Sequence, residues 1–283
     1  MIPNAFEYYR PKTISDALKV LADHGDGARV IAGGHSLIPL MKLRMAQISH
    51  LVDLQDIGDL KGVTVGPTIR IGAMTTQHEL ITHAGLTAAA PILQEAALQI
   101  ADPQVRYMGT VGGNVANGDP GNDMPGLMQC LDASYVLSGP DGLRSVAARE
   151  FYNGPYDTAR GDDEILVAIA FAAPKGGFAY EKQKRKIGDY ATAAAAVQIS
   201  AAGGKVVAAS IAMTNLSDTP IWSQAAGATL IGTDCGPSAV RAAVAAMLAD
   251  INPSADNRGP VEFKRHVAGV VLGRAIARAW SRS

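Results

Sequence analysis

Two short stretches carry the residue types and spacing from which chemistry can be built. One runs from Val30 to Arg44, VIAGGHSLIPLMKLR, and the other from Thr110 to Asp123, TVGGNVANGDPGND. Each leads with apolar residues into a glycine pair and then a small polar residue: His35 and Ser36 after Gly33-Gly34, Asn114 after Gly112-Gly113. Glycine allows positive φ and lets another group come close to the backbone. Consecutive amides arranged in this way converge into an anion-binding concavity. Ala32-Gly33-Gly34-His35-Ser36 adds a hydroxyl donor at the start of an apolar turn, where free amides also favour phosphate. Thr110-Val111-Gly112-Gly113-Asn114 brackets its glycines with side chains that donate and accept, and Asn117, Asp119 and Asp123 add acceptors for hydroxyls. The chemistry indicated is the grip of two backbone cradles on one phosphorylated cofactor. A glycine pair by itself also serves a plain tight turn, and Asp123 before Met124-Pro125 also suits a helix cap.

Several other chemistries are excluded. The order D-P-G-N-D lacks the calcium-loop pattern and its closing glutamate, and neither stretch holds the G-x-G-x-x-G dinucleotide fingerprint. The two cysteines, Cys130 and Cys235, are far apart and form no C-x-x-C, so a disulfide framework is not expected and a reducing cytosol suits the chain. Two thiols also fall short of the roughly four that an iron–sulfur cluster needs. The six histidines show no tight ligand spacing, so no metal site is expected. Redox work by this chain would need an organic cofactor. A formal net charge of -1 across 283 residues gives no field for nucleic acid. No basic-then-apolar leader opens the sequence, and the low-charge run Tyr190 to Ala202 is too short to span a bilayer.

The elements that position these stretches can be read from periodicity. Phe6 to Tyr9 reads as a short edge strand, and Ser15 as the cap of a helix carrying Ala17, Leu18 and Leu21. Arg29 to Ala32 and His50 to Leu54 read as strands around the first glycine pair, with an apolar turn at Leu37 to Met41. Thr68 to Ala73 alternates like a strand, Thr75-Thr76 caps a helix from Gln77, and Pro91 opens another with Leu93, Ala96, Ala97 and Ile100 on one face. Helix is expected over Pro125 to Leu131, strand over Ser134 to Leu137 and Glu164 to Phe171, and a turn at Gly139-Pro140-Asp141-Gly142. Pro174 to Gly177 is the linker candidate. Beyond it lie strands at Phe178 to Lys182, Ala191 to Ser200 and Lys205 to Met213, the last two joined by Gly203-Gly204. Helices are expected over Trp222 to Leu230, Ser238 to Leu248 and Pro260 to Trp280.

VIAGGHSLIPLMKLR, IADPQVRYMGTVGGNVANGDPGNDMP and YEKQKRKIGDYATAAAAV together resemble the FAD-binding medium subunit of the molybdenum hydroxylases, in particular its aerobic carbon monoxide dehydrogenase branch. The resemblance covers essentially the whole chain. It implies an α+β fold: two subdomains of the vanillyl-alcohol-oxidase type clasping FAD, then a C-terminal domain of a three-stranded antiparallel sheet and a helical bundle. The corresponding division is residues 1–55, 56–175 and 176–283. It also implies that Ala32 to Ser36 and Thr110 to Asn114 receive the FAD pyrophosphate through backbone amides. Asn117 and Asp123 match polar positions facing sugar or ribityl hydroxyls, Ile100, Ala101 and Leu166 apolar positions beside the cofactor, and Tyr190 an aromatic near the isoalloxazine. By the residues alone, Tyr190 reads equally as a packed aromatic with a wet hydroxyl. Xanthine-dehydrogenase-type relatives carry a lysine near the position aligned with Glu181, and Lys182 is one residue out, so neither receives a flavin role. Lys182, Lys184, Arg185 and Lys186 read as a solvated strand face or a docking patch.

The implied activity is that of an oxidoreductase subunit: noncovalent FAD takes electrons from iron–sulfur clusters and passes them to an external acceptor, quinone being expected. The implied partners are a molybdenum-containing large subunit and an iron–sulfur small subunit, in a heterotrimer or its dimer. The expected location is the cytoplasm, with peripheral attachment to the inner membrane face through the complex. Other readings are the FAD subunit of a hydroxylase for xanthine, nicotine or an aromatic acyl-CoA, a cofactor-free scaffold, and a standalone FAD reductase.

Overall fold

The computed structural model describes residues 2–283. Three sheets follow one another along the chain. In the first, β1 (Glu7–Tyr9), β2 (Ala28–Ile31) and β3 (His50–Asp53) lie parallel in the order β1-β3-β2. Helix α1 (Ile14–His24) crosses from β1 to β2 and buries Ala17 and Leu21. Its cap is Thr13, whose hydroxyl accepts from the Asp16 amide at 3.0 Å. Ser15 therefore lies inside the first turn, not at the cap. Helix α2 (Leu37–Lys42) follows the first glycine pair.

The second sheet is antiparallel, built from β4 (Val63–Thr64), β5 (Thr68–Gly72), β6 (Ser134–Gly139), β7 (Gly142–Ala147) and β10 (Ile165–Ala172) in the order β4-β5-β10-β6-β7. A small hairpin, β8 (Tyr152–Gly154) and β9 (Asp157–Thr158), precedes β10. Strand β5 alternates as a half-buried strand must, with Ile69 and Ile71 fully buried between exposed Thr68 and Arg70. Six short helices fill the span between β5 and β6: α3 (Gln77–Thr82), α4 (Ala84–Ala89), α5 (Pro91–Ala97), α6 (Pro103–Met108), α7 (Val111–Ala116) and α8 (Asp123–Cys130). Thr76 and Glu79 close a reciprocal capping box at the head of α3. Helix α7 is a departure from expectation, because the second glycine pair opens a helix instead of remaining a loop. Thr110 is its cap and accepts from the Gly113 amide at 3.0 Å.

The third sheet is β11 (Gly177–Gln183), β12 (Ala193–Ala202), β13 (Lys205–Thr214) and β14 (Ile221–Trp222), antiparallel in that order. The three long strands are the expected ones, with a two-residue fourth added, so Trp222 ends a strand instead of opening a helix. Helices α9 (Gln224–Leu230), α10 (Pro237–Asp250) and α11 (Val261–Trp280) complete the chain. The alanine-rich run in β12 has a physical reason. Ala194 and Ala196 pack into the core beneath α8, while Ala193, Ala195 and Val197 pack into the core shared with α11. With both faces covered, only small side chains fit throughout.

Candidate functional site

The first glycine pair lies where β2 ends. Gly34 has φ of +76°, and a Cβ on Gly33 would sit 2.3 Å from the Met108 carbonyl oxygen and 2.7 Å from Gly109 Cα. Only glycine allows this approach, and it sets the first loop against the residues that lead into α7. The second pair is stitched to the end of β5 by main-chain bonds: Val111 N to Thr75 O at 2.9 Å, Gly112 N to Ala73 O at 2.9 Å and Gln77 N to Gly109 O at 2.8 Å. A Cβ on Gly112 would lie 2.5 Å from Ala73 Cβ. The ideal Cβ position of Gly113 is 3.6 Å from Ala32 Cβ. The two glycine segments therefore meet in space, although some eighty residues of sequence separate them.

Between them opens a cavity of about 680 Å³, within the range of cofactor and ligand sites. Every residue that the resemblance assigned to the cofactor lines it except one: Ala32, Gly33, Gly34, His35, Ser36, Ile100, Ala101, Thr110, Gly112, Gly113, Asn114, Asn117, Asp123, Leu166 and Tyr190 do, whereas Asp119, named from the sequence as an acceptor, does not. The exception is Val111, whose fully buried side chain belongs to the hydrophobic core beside the cavity. Successive side chains on a helix point about 100° apart, so Val111 faces the core while Gly112 borders the cavity.

The amides divide the work differently from expectation. Those of Gly33, Gly34, His35 and Ser36 have no hydrogen-bond partner among the described residues, so the first loop presents a run of free donors. Those of Val111, Gly112, Gly113 and Asn114 are already engaged, by Thr75 O, Ala73 O, Thr110 Oγ1 and Thr110 O. The second glycine pair thus lets backbone and helix pack closely, and what it offers the cavity is side chains. This corrects the expectation of two equivalent amide cradles.

Sequence reasoning missed several lining residues. Gln77 is 2% exposed and lines the cavity, yet neither its Nε2 nor its Oε1 has a partner. Such a buried amide costs stability unless something bonds it. Its place just after Thr76 was legible as a helix start, not as a site. Tyr156, also missed, lines the cavity with left-handed backbone, φ of 61°, as does the expected Ala101, φ of 45°, strain of the kind that gathers at binding sites.

Lys182 is the largest surprise. Its side chain is 1% exposed, and Nζ donates to Asp123 Oδ2 at 2.8 Å; Tyr180 Oη donates to Asp123 Oδ1 at 2.5 Å. Both Lys182 and Asp123 line the cavity. Lys182 is therefore no part of a solvated face, and Lys184 turns in as well, donating to Gln99 O at 3.0 Å. Asp123 opens α8 but spends its carboxylate on Tyr180 and Lys182 instead of capping. Tyr190 lies in the segment before β12, not at a strand start. It donates to Asp119 Oδ2 at 3.1 Å, and burial together with the Asp119 carboxylate pushes its phenol well up.

Taken together, the site has free main-chain donors for an anion, apolar walls at Ile100, Ala101 and Leu166, and an unpartnered amide. These residues fit a dinucleotide carrying a diphosphate and a flat ring. The comparisons with known proteins agree in class. The family model described as "FAD binding domain in molybdopterin dehydrogenase" matches residues 4–174, and the one described as "CO dehydrogenase flavoprotein C-terminal domain" matches 178–279. The chain belongs to this family of FAD-binding oxidoreductase subunits, and its cofactor is FAD. Two relatives are each named "Carbon monoxide dehydrogenase medium chain". That of Afipia carboxidovorans is 56% identical, with 100% of this chain and 99% of the relative covered. That of Hydrogenophaga pseudoflava is 44% identical, with the same coverage. A chain from the crystal structure of a cyanide-inactivated Cu,Mo-CO dehydrogenase superposes with a TM-score of 0.98 at 56% identity, with both chains fully covered. Among the described residues, no helix is long and apolar enough to cross a membrane.

Proposed function

We propose that this chain is the FAD-carrying electron-transfer subunit of an aerobic carbon monoxide dehydrogenase. The observation that carries the reading is the 56% identity to a carbon monoxide dehydrogenase medium chain over the full length of both proteins. In this reading the partners are a molybdenum-containing subunit, where the substrate is oxidised, and an iron–sulfur subunit that delivers electrons. The external acceptor is a quinone, and the assembled enzyme lies in the cytoplasm. The chain divides into units 1–55, 56–175 and 176–283, the first two holding the cofactor.

FAD, when bound, would supply the chemistry of taking up electrons singly and releasing them in pairs. The chain's own residues bind and orient it. The free amides of Gly33 to Ser36 take the diphosphate, with the Ser36 hydroxyl beside them. Gln77, Asn114 and Asn117 meet polar edges and hydroxyls, and Thr110 keeps a hydroxyl proton to donate while accepting from Gly113. Ile100, Ala101 and Leu166 wall off water, and Tyr190 covers the rim. No nucleophile and base pair is required, since the substrate chemistry occurs elsewhere.

The test is coexpression of the three chains. The purified complex should carry one FAD per copy of this chain, bleach with dithionite, and reduce a quinone when given carbon monoxide. A complex that assembles without flavin contradicts the reading, and so does one that holds flavin but reduces quinone with xanthine or nicotine and not with carbon monoxide.

A further inference from the structure

Three cationic side chains gather beside the cavity, on the carbonyls of Gln99 and Ile100. Lys182 Nζ and Lys184 Nζ both point at the Gln99 carbonyl, at 3.3 and 3.0 Å, and Arg106 donates to the Ile100 carbonyl at 2.9 Å. One carboxylate, Asp123, answers these three cations from within the cluster, and it is bonded to Lys182 alone among them. The crowding is felt: burial, then the neighbouring Lys182, push the Lys184 ammonium down. Of the three cations Lys182 lines the cavity, as do Asp123, Ile100 and Ala101, so the Lys182–Asp123 pair borders the space read as the cofactor's. A fold gains nothing from bringing like charges into a half-buried corner unless an anion joins them there.

We propose that the Lys182–Asp123 pair sets the reduction potential of the bound flavin, the Lys182 cation favouring the reduced form and the Asp123 carboxylate opposing it. This rests on the reading of the cavity as the FAD site. Two electrons from the partner's iron–sulfur clusters and one proton from water convert a neutral flavin into a reduced flavin with one negative charge. A fixed cation nearby lowers the energy of that added charge, and a fixed carboxylate raises it. Because the pair is nearly closed to water, its charges are weakly screened. Lys182 acts through its field and is a positioning residue in the electrostatic sense.

The test is a dithionite titration with mediator dyes on the assembled complex, following flavin absorbance in wild type, Lys182→Met, Asp123→Asn and the double variant. Lys182→Met should move the flavin midpoint potential down and Asp123→Asn should move it up. The double variant should return towards the wild-type value, and it carries the test if one single variant does not fold. Both single variants moving the same way, or neither moving with flavin still stoichiometric, overturns the proposal. Weakened FAD binding with the potential unmoved also overturns it, assigning the cluster to the diphosphate instead. Wild-type complex without flavin would instead sink the functional reading itself, so the two failures are distinguishable.

Discussion

At the scale of single residues, Gln77 gives the sharpest prediction. A buried amide with both ends unsatisfied costs about 1–3 kcal/mol, and leucine fills a similar volume with no polar atoms. Gln77→Leu should therefore raise the melting temperature of the flavin-free chain by a few degrees while weakening FAD uptake, as read by calorimetry and by bound flavin absorbance. A lower melting temperature, or unchanged uptake, would show that Gln77 serves packing alone. Glu164 supplies a second prediction. Arg144 grips both of its carboxylate oxygens, at 2.5 and 2.6 Å, and the Gly161 amide donates at 2.6 Å. The Arg144 contact, aided by that amide, holds the Glu164 carboxyl below the usual carboxylate range. A depressed folded-state pKa contributes stability above the unfolded value of about 4.3, and that stability is lost as pH falls through the folded value. Wild type should thus lose melting temperature more steeply than Glu164→Gln between about pH 5 and pH 3. The difference should be modest, since Arg144 is half exposed. Parallel curves would remove Glu164 from the acid response.

At the scale of elements, the first glycine loop is the piece that tolerates least. A methyl at Gly33 would overlap the Met108 carbonyl, a backbone atom that cannot swing aside. Overpacking of this kind costs about 1–3 kcal/mol, so Gly33→Ala should weaken FAD binding roughly tenfold or more. The far sheet and α11 share none of these contacts, and their far-ultraviolet signature should persist. Stoichiometric flavin in Gly33→Ala would mean that the loop is not held by that close approach. What was legible here followed from local rules. Thr75-Thr76 before Gln77 announces the cap of α3, and alternation announces β5. The second glycine pair misled because Gly-Gly argues for a turn, whereas Thr110 capping and the bonds to Ala73 and Thr75 draw the same residues into α7. That tertiary stitching lies outside any window of sequence. Helix α6 went unread beside it, although Asp102-Pro103 is a readable start, with Asp102 accepting from the Val105 amide at 2.9 Å.

At the scale of the whole molecule, the cavity draws on all three sheets. The first glycine loop comes from the first sheet, the floor from the ends of β5 and β10 and from α7 and α8, and Lys182 and Tyr190 from the third sheet and the segment following β11. The Lys182–Asp123 pair joins residues fifty-nine positions apart and was hidden from the sequence because charge runs ordinarily face water. Glu95 of α5 fastens the far end of the chain, meeting Arg278 at 2.9 Å and Arg282 at 2.6 Å. The third sheet is thereby held against the helices that frame the cavity, and its strand β11 carries Lys182 to the cavity wall.

The most direct test of the central claim is an electron-density map of the FAD-loaded complex. The diphosphate should lie against the amides of Gly33 to Ser36, between that loop and the start of α7. Density for the diphosphate anywhere else, or those four amides turned away from it, would contradict the account.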